Sequence, residues 1–146
     1  MWTTEHSIET IASAEAIWRL WADVPGWPDW IADVAHAELS GPFAVGSVIL
    51  MTPIGQDPVE LRIEEAIEPE LFIDVAQLGE IVVRTIHRVD GLDQWQHRVV
   101  YGMEISGRAA DEIGPALGPE ISGDFPQTLA ALADGAEDCD RRQVSS

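Results

Sequence analysis

The alternation of apolar and polar positions at the start of the chain predicts a β-strand over residues 2–11. One face of this strand carries four alternate residues, which are Trp2, Thr4, His6 and Ile8. The spacing then changes, and Ile17, Leu20 and Trp21 fall on one face of an α-helix. Ser13 is a suitable N-cap for this helix, since its hydroxyl can accept a hydrogen bond from a free amide of the first turn.

A tight corner is predicted after this first helix. Residues 23–26 include Pro25 and Gly26, which together favour a turn and end the helix. A second short helix is predicted over residues 27–34, where Pro28 lies near the first turn and its missing amide costs little. We therefore expect two short helices between the first strand and the rest of the chain.

Six further strands are predicted between residues 35 and 105, because β-branched or alternating apolar residues recur there between turn signals. Their ranges are 35–40, 46–53, 58–67, 70–78, 80–90 and 94–105. Connections this short, marked mainly by Gly and Pro, join antiparallel neighbours rather than parallel ones. The sheet is therefore expected to be an antiparallel meander, and the pair Glu64–Glu65 indicates a bulge in one of its strands.

Helical spacing returns from Ala109 to about Ala136. One apolar stripe runs along this segment and consists of Ile113, Leu117, Ile121, Phe125, Leu129 and Leu132. Several Pro and Gly residues interrupt its first part, so we expect a broken section to about residue 118 and a regular helix after it. Residues 137–146 are polar without periodicity and are predicted to form a flexible tail behind a single domain of residues 1–136.

Composition and charge narrow the classes of partner. The 146 residues fit one domain, and 26 acidic against 8 basic side chains give a net charge of −18, with no Lys. Nucleic acid and anionic membrane surfaces require clustered basic residues, so neither is an expected partner.

The single cysteine, Cys139, excludes an internal disulfide and a Cys-based zinc cluster. No apolar run approaches the ~20 residues of a membrane span and no secretion signal is present, so a soluble cytoplasmic protein is expected.

The order of these elements, taken with three short motifs, is similar to that of a known family. The motifs are residues 11–18 followed by Asp23 and Trp27-Pro28-Asp29-Trp30, residues 41–47, and His97-Arg98-Val99 leading to Gly107. The chain resembles the START/Bet v 1-like (SRPBCC) superfamily, in particular its polyketide cyclase/dehydrase-like branch. The resemblance implies an α+β helix-grip fold, in which a curved seven-stranded antiparallel sheet wraps around a long C-terminal helix and encloses a deep cavity. It implies no single activity, since relatives bind lipids, carry hydrophobic ligands or cyclise polyketides.

The last two predicted strands indicate which side chains face the interior. With the turn at residues 90–94, Val89 lies opposite Trp95 and His87 lies opposite His97. The same pairing brings three further pairs together: Thr85 with Val99, Val83 with Tyr101, and Ile81 with Met103. This mostly apolar set is expected to face inward. The alternate set is expected to face solvent, because it contains Arg84, Arg88 and Arg98 and burying them would be costly.

His87 and His97 are candidate general acid and base groups, since a neutral imidazole can both donate and accept a proton near neutral pH. Alternatively, the two rings hydrogen bond to each other or to water in a partly polar cavity. Tyr101 could polarise a ligand carbonyl, or could be a core tyrosine that bonds within the protein. A zinc site with Glu65 as the third ligand has no supporting spacing of His residues, so neither a metal nor another cofactor is expected.

Ten further residues are predicted to line the cavity and bind the ligand: Trp27, Trp30, Glu65, Val83, Thr85, Trp95, Val99, Met103, Phe125 and Leu129. Trp27 and Trp30 lie in the helix corner, where flat rings would stack a planar ligand or simply pack the helices onto the sheet. The expected ligand is a hydrophobic small molecule with aromatic or polyketide-like character. It should be neutral or cationic, because no inward basic residue is predicted to neutralise an anion.

Two functions are consistent with this interior. One is an enzyme that holds a reactive chain so that an enol carbon approaches a carbonyl, in a cyclisation, aromatisation or dehydration. The other is a non-catalytic carrier or sensor of a hydrophobic ligand. In either case the protein is expected to be a monomer or a homodimer.

Overall fold

Seven β-strands and three α-helices make up most of the computed structural model, which describes residues 1–145. The strands are β1 (Trp2–Thr10), β2 (Val34–Ser40), β3 (Val48–Pro53), β4 (Val59–Ile67), β5 (Leu71–Leu78), β6 (Ile81–Gly91) and β7 (His97–Gly107). The helices are α1 (Ala14–Ala22), α2 (Ala110–Ser122) and α3 (Phe125–Ser145), with a 3₁₀ helix over Val24–Asp29. None of the helices within these residues is both long and apolar enough to cross a membrane.

All seven strands form one antiparallel sheet in the order β1-β7-β6-β5-β4-β3-β2. Strands β2 to β7 follow one another as a meander, and β1 forms the edge beyond β7 by pairing with it. The short connections require an antiparallel meander, since a strand that follows a tight turn runs antiparallel to the strand that precedes the turn. The predicted helix-grip architecture, with its seven-stranded sheet and long C-terminal helix, is confirmed.

The sheet has an inner face covered by the helices and an outer face that carries charge. Three arginines of the outer face have acidic partners within 3.1 Å: Arg84 with Glu64 and Glu104, Arg88 with Asp90, and Arg98 with Glu9. Arg62 of β4 is also exposed. The predicted outward position of Arg84, Arg88 and Arg98 is therefore confirmed.

The apolar stripe of the last helix packs over the inner face. Phe125, Leu129 and Leu132 are buried, and α3 contacts α1, β1 and β7. Burial of each such side chain stabilises the fold by roughly 1.5–3 kcal/mol. The part of the predicted stripe that lies on α2 is less buried, since Leu117 and Ile121 are partly buried and Ile113 is exposed.

The helical break lies at residues 123–124 rather than near residue 118. Pro115 and Pro119 stay within α2, and both are exposed. Water can therefore reach the carbonyl groups whose intrahelical partners the two prolines remove, and the helix continues through them. The predicted interruption of this segment is correct, but its predicted position is wrong.

Residues 137–145 are helical and do not form the flexible tail that their polarity predicted. Glu137 accepts a hydrogen bond from the Thr10 hydroxyl at 2.6 Å. The Asp140 carboxylate accepts hydrogen bonds from the backbone amide and the hydroxyl of Ser13, at 2.7 and 2.8 Å. These bonds attach the end of α3 to the β1–α1 connection, so its polar residues have partners within the fold. Ser146, the last residue of the predicted tail, lies outside the described residues.

Candidate functional site

The β6–β7 hairpin differs in register from the prediction, and the two histidines do not face each other. His87 pairs with Tyr101 rather than with His97, a displacement of four residues along β7 (101 − 97). Because the displacement is even, the strand residues predicted to face inward still do so. The predicted His87–His97 pair is therefore wrong, although the inward parity of the two strands is confirmed.

The difference in register comes from the loop over residues 92–96. The Asp93 carboxylate accepts hydrogen bonds from the backbone amides of Trp95 and Gln96, at 2.7 and 2.9 Å. These bonds hold Trp95 in the loop, where the prediction had it in β7. Trp95 is consequently 72% exposed, and its predicted inward position in the ligand-binding set is wrong.

His97 lies away from the centre of the interior. It pairs with Thr10 of β1 and Gly91 of β6, and its Nδ1–H donates a hydrogen bond to the carbonyl oxygen of Ala12 at 2.9 Å. The ring is partly buried. His97 thus connects β7 to the segment between β1 and α1, and it does not meet His87.

Most of the predicted ligand-binding residues do lie in the interior. Seven do so, all buried except the partly exposed Thr85: Trp27, Val83, Thr85, Val99, Met103, Phe125 and Leu129. Glu65 does not, because the bulge in β4 makes it pair with Ile73, whose side chain lies on the opposite face from Phe72. The predicted bulge at Glu64–Glu65 is confirmed, and its effect is to take Glu65 out of the interior.

The two tryptophans of the helix corner have different surroundings. Trp27 is buried, and its Nε1–H donates a hydrogen bond to the carbonyl oxygen of Trp21 at 3.1 Å, which favours a packing role. Trp30 is partly buried and lines a small pocket of about 40 Å³ together with Asp33 and Asp124. Of the two rings, Trp30 is the one that borders open space.

An aromatic cluster lies between the helices and the centre of the sheet. His87 stacks on Phe72, with ring centroids 3.8 Å apart and an angle of 4° between the planes. Tyr101 stands edge-on to His87 at 4.7 Å and to Phe125 at 5.6 Å. The Trp21 Nε1–H donates a hydrogen bond to the Tyr101 hydroxyl oxygen at 3.0 Å, which leaves the hydroxyl proton of Tyr101 available for another acceptor.

Burial sets the protonation states of His87 and Tyr101. The Nδ1–H of His87 donates to the carbonyl oxygen of Phe72 at 3.2 Å, so Nε2 carries the lone pair. Desolvation lowers the pKa of His87 from 6.5 to about 3, although the bond to Phe72 acts in the other direction. Burial raises the pKa of Tyr101; the Trp21 bond opposes this, and the charge of Asp74 adds to it. Near neutral pH, His87 is therefore a neutral acceptor and Tyr101 a neutral donor.

Asp74 is an interior residue that the sequence interpretation missed. It is 5% exposed and pairs with Ile63 of β4 and Thr85 of β6 on the inner face. Desolvation raises the pKa of its carboxyl group from 3.8 to about 7. A signal was present in the sequence, because Asp74 occupies the inward parity of a strand whose other residues of that parity, including Phe72 and Ala76, are apolar.

The Asp74 carboxyl group has no hydrogen-bond or ion-pair partner among residues 1–145. Every completely enclosed side-chain nitrogen or oxygen in that part of the chain does have a partner. The carboxyl oxygens of Asp74 therefore keep some accessible surface, even though the residue as a whole is nearly buried.

The fold also brings together two carboxyl groups whose proximity the sequence did not indicate. Asp33, next to the helix corner, and Asp124, at the break before α3, both line the small pocket beside Trp30. Burial raises the pKa of Asp124, and the hydrogen bond with Asp33 and the charge of Asp33 raise it further. This pair lies at the edge of the interior beside the aromatic cluster, since Asp124 precedes Phe125 and its charge also raises the pKa of Tyr101.

The interior offers proton donors and acceptors rather than a set of metal ligands. Among the residues that the structure describes, no three or more His, Cys, Asp or Glu side chains converge closely enough to hold a metal ion. Asp74, His87 and Tyr101 instead stand on β5, β6 and β7 as single polar groups within apolar surroundings. The arrangement suits hydrogen bonding and proton transfer with a bound molecule.

Comparison with known proteins identifies the fold. No family model matches the chain, and no curated protein sequence matches it. A solved point mutant of norcoclaurine synthase from Thalictrum flavum, in complex with a transition-state analogue, is similar with a TM-score of 0.76 at 14% identity, over 94% of this chain and 95% of that chain. A START superfamily protein from Mycobacterium smegmatis has a TM-score of 0.69 at 16% identity, over 94% and 98% of the two chains. The di-domain ARO/CYC protein BexL, from the BE-7585A biosynthetic pathway, has a TM-score of 0.72 at 12% identity, over 93% of this chain and 50% of its own.

These similarities extend over nearly the whole of this chain. The sequence identities are low, so the similarities show a shared fold and no more. They agree with the observed sheet order and with the long helix packed across its inner face. The chain therefore has the helix-grip fold of the START/Bet v 1-like (SRPBCC) proteins.

Proposed function

We propose that this protein binds a hydrophobic, neutral aromatic or polyketide-like small molecule in its interior and catalyses a proton-transfer step on it, as in cyclisation, aromatisation or dehydration. The observation that carries the proposal is the placement of Asp74, His87 and Tyr101 on neighbouring inner positions of an otherwise apolar and aromatic interior. Apolar walls would hold the ligand, and these three polar groups would orient it and act on it.

The energetic cost of these polar residues supports an active site rather than a passive cavity. A buried polar group without a hydrogen-bond partner costs roughly 1–3 kcal/mol of stability in proteins. Asp74 lowers the stability of the fold in this way. A protein that only carries apolar ligands would be more stable with an apolar side chain at this position. Residues that lower stability in this way concentrate at functional sites.

The distribution of charge supports a neutral ligand. Arg84, Arg88 and Arg98 have acidic partners on the outer face and do not reach the interior. The interior carboxyl group of Asp74 and the net charge of −18 would both repel an anion. A carboxylate or phosphate ligand would therefore lack a counter-ion at the site.

Proteins with the same fold support an enzymatic role by analogy only. One of them is a synthase, and another is an ARO/CYC protein from a biosynthetic pathway. Because a fold can carry many functions, this analogy adds weight to the proposal without specifying the reaction.

Calorimetric titration with 2-naphthol and with 2-naphthoate tests the proposed ligand class, because the two molecules share a flat ring system and differ in charge. We expect saturable binding of 2-naphthol and at least about tenfold weaker binding of 2-naphthoate. Binding of 2-naphthoate that equals or exceeds that of 2-naphthol would contradict the proposal.

Two tryptophan variants locate the binding. The proposed ligand extends from the aromatic cluster past Phe125 towards the helix corner. Trp30→Ala removes a ring at that edge of the interior, and we expect it to weaken 2-naphthol binding. Trp95→Ala is the matched control, because Trp95 is an exposed loop residue, and it should leave the affinity unchanged. Equal effects of the two variants would argue against a ligand beside Trp30.

A further inference from the structure

We propose that Asp74 is the catalytic base of the interior site and that its substrate is an enolisable aromatic ketone. This inference rests on the proposed function, because it requires a small molecule bound against the inner face of β5 and β6. It adds the residue that moves the proton and the chemical group on which the residue acts.

The position of Asp74 in the sheet places it beside the other polar groups. Asp74 pairs with Thr85 in one row across the inner face, and His87 pairs with Tyr101 in the next row. Thr85 and His87 are two residues apart on β6, so the rows are separated by roughly 7 Å. Asp74 and Tyr101 are also two strands apart, on β5 and β7, so their Cα atoms are separated by roughly 12 Å. A flat ketone between the two side chains could present the carbon next to its carbonyl to the Asp74 carboxyl group and its carbonyl oxygen to the Tyr101 hydroxyl.

The surroundings of Asp74 are those of a reactive carboxyl group rather than a structural one. A structural carboxylate in an interior is paired or hydrogen-bonded, whereas Asp74 has no partner among residues 1–145 and keeps some accessible surface. Its neighbours across the strands, Ile63 and Thr85, offer it no charge. The resulting pKa of about 7 means that both protonation states are populated near neutral pH, which suits a group that takes and returns a proton.

The other candidate bases are less suitable. The Nδ1 proton of His87 is bound to the Phe72 carbonyl oxygen, and burial lowers the pKa of the ring to about 3, so Nε2 is a weak base. His97 is bonded to Ala12 and stands outside the aromatic cluster. Tyr101 keeps its proton because burial raises its pKa, so its role is that of a hydrogen-bond donor.

In the proposed step, the ionised Asp74 carboxylate removes a proton from the carbon next to the ligand carbonyl. The electron pair of the broken C–H bond forms the C=C bond of an enolate, and the carbonyl π electrons move to the oxygen. Tyr101, whose oxygen is held by Trp21, donates a hydrogen bond to that oxygen as it gains charge. Protonated Asp74 then returns its proton to carbon, so the step consumes no oxidant, reductant or other reactant.

Hydrogen–deuterium exchange into 2-tetralone, followed by ¹H NMR in D₂O, tests the assignment, because this flat neutral ketone has exchangeable C–H bonds next to its carbonyl. The unmodified protein is compared with Asp74→Asn, which keeps the shape of the side chain and removes the base. Asp57→Asn is the control for the loss of one carboxylate, since Asp57 is exposed in the turn between β3 and β4. Binding of 2-tetralone to each protein is measured separately by calorimetry.

We expect the unmodified protein and Asp57→Asn to accelerate exchange equally, and Asp74→Asn to lose about 100-fold in rate without losing 2-tetralone affinity. Exchange that persists in Asp74→Asn, or binding of 2-tetralone by the unmodified protein without exchange, overturns the assignment of Asp74. Neither result contradicts the proposal that the protein binds such a ligand. Absence of 2-tetralone binding overturns the proposed function itself, and the assignment of Asp74 with it.

Discussion

The indole nitrogen of Trp21 lies 3.0 Å from the hydroxyl oxygen of Tyr101, and this hydrogen bond joins α1 to β7 across the interior. The Trp21 ring also contacts the rings of Phe72 and His87, at centroid distances of 5.3 and 5.9 Å. Because indole N–H only donates, the bond fixes the Tyr101 oxygen as acceptor and directs its proton elsewhere. Helix α1 therefore orients a polar group of the site as well as covering the sheet.

Trp21→Phe should destabilise the protein by about 1–3 kcal/mol, because it removes a buried hydrogen bond and leaves a space beside the Tyr101 hydroxyl. Urea unfolding followed by circular dichroism measures the change. Trp95→Phe makes the same substitution at an exposed position and should change the free energy of unfolding by less than about 0.5 kcal/mol. Equal effects of the two variants would show that the bond between Trp21 and Tyr101 does not stabilise the fold.

Asp74→Asn should stabilise the protein increasingly as the pH rises. Burial raises the pKa of Asp74 from 3.8 to about 7, so between these values the folded state keeps a proton that the unfolded state has lost. The contribution of this group to the stability of the unmodified protein therefore decreases as the pH rises from about 4 to about 7. The variant lacks the carboxyl group and does not show this decrease. The difference in free energy of unfolding between the two proteins should grow by roughly 4 kcal/mol between pH 4 and pH 8.

The comparison of variant and unmodified protein is needed because His87 has the opposite pH dependence. Its pKa is lowered from 6.5 to about 3, so its contribution to stability falls as the pH decreases through this interval. The two effects offset each other in the pH curve of the unmodified protein between about pH 4 and pH 6.5. A difference between the two proteins that stays constant from pH 4 to pH 8 would contradict a raised pKa at Asp74.

Gly118→Ala should be strongly destabilising because the Trp2 ring occupies the space that a Cβ atom would need. Gly118 is buried in α2, where a Cβ atom would overlap the six-membered part of the Trp2 ring. Alanine would otherwise favour a helix over glycine by roughly 1 kcal/mol, although the following Pro119 also restricts residue 118.

A double-mutant cycle separates these effects, because Trp2→Ala removes the ring and leaves Pro119 in place. We expect Gly118→Ala to cost about 2–4 kcal/mol in the unmodified chain and clearly less in the Trp2→Ala background. The same cost in both backgrounds would show that the ring is not the obstacle. Thermal unfolding monitored by circular dichroism is a suitable measurement.

Asp140→Ala should destabilise the protein even though the residue lies in a polar stretch near the end of the chain. The substitution removes two hydrogen bonds to Ser13, one to its amide and one to its hydroxyl. We expect a loss of about 1–3 kcal/mol in urea unfolding. Asp134→Ala is the control, because Asp134 is exposed on the same helix, and a loss there as large as at Asp140 would contradict the role of the Ser13 contact.

The strands, the first helix, the apolar part of the last helix and the face to which most side chains belong could be predicted from the sequence. The second short helix was predicted wrongly over residues 27–34, since a 3₁₀ helix covers Val24–Asp29 and residues 30–33 are not helical. The correctly predicted features follow from local periodicity, since side chains alternate along a strand and repeat about every 3.6 residues along a helix. The outward arginines of β6 and β7 were predicted for the same reason. The parity was correct even with the wrong hairpin register, because a displacement of four residues returns each side chain to the same face.

The register of that hairpin and the structure of the C-terminal end could not be predicted in this way. The register depends on the Asp93 carboxylate, which bonds two amides and thereby holds Trp95 in the loop. The helical state of residues 137–145 depends on Asp140, whose partner Ser13 is 127 residues away in the sequence. Periodicity indicates which side chains avoid water. It does not indicate which pairs of polar groups form hydrogen bonds in the folded chain.

The candidate site also combines features that follow from local periodicity with features that depend on tertiary contacts. His87 and Tyr101 were predicted as inward polar residues from their parity alone, and Asp74 has the same parity in its own strand. What makes Asp74 distinctive is its near-complete burial without a counter-ion or hydrogen-bond partner among the described residues. The closeness of Asp33 to Asp124 is likewise a property of the packed chain. Strand parity is enough to place His87 and Tyr101 on the inner face, and it would have placed Asp74 there as well. Their proton affinities follow from the packed structure, because a pKa depends on the distances from each group to water, charges and hydrogen-bond partners.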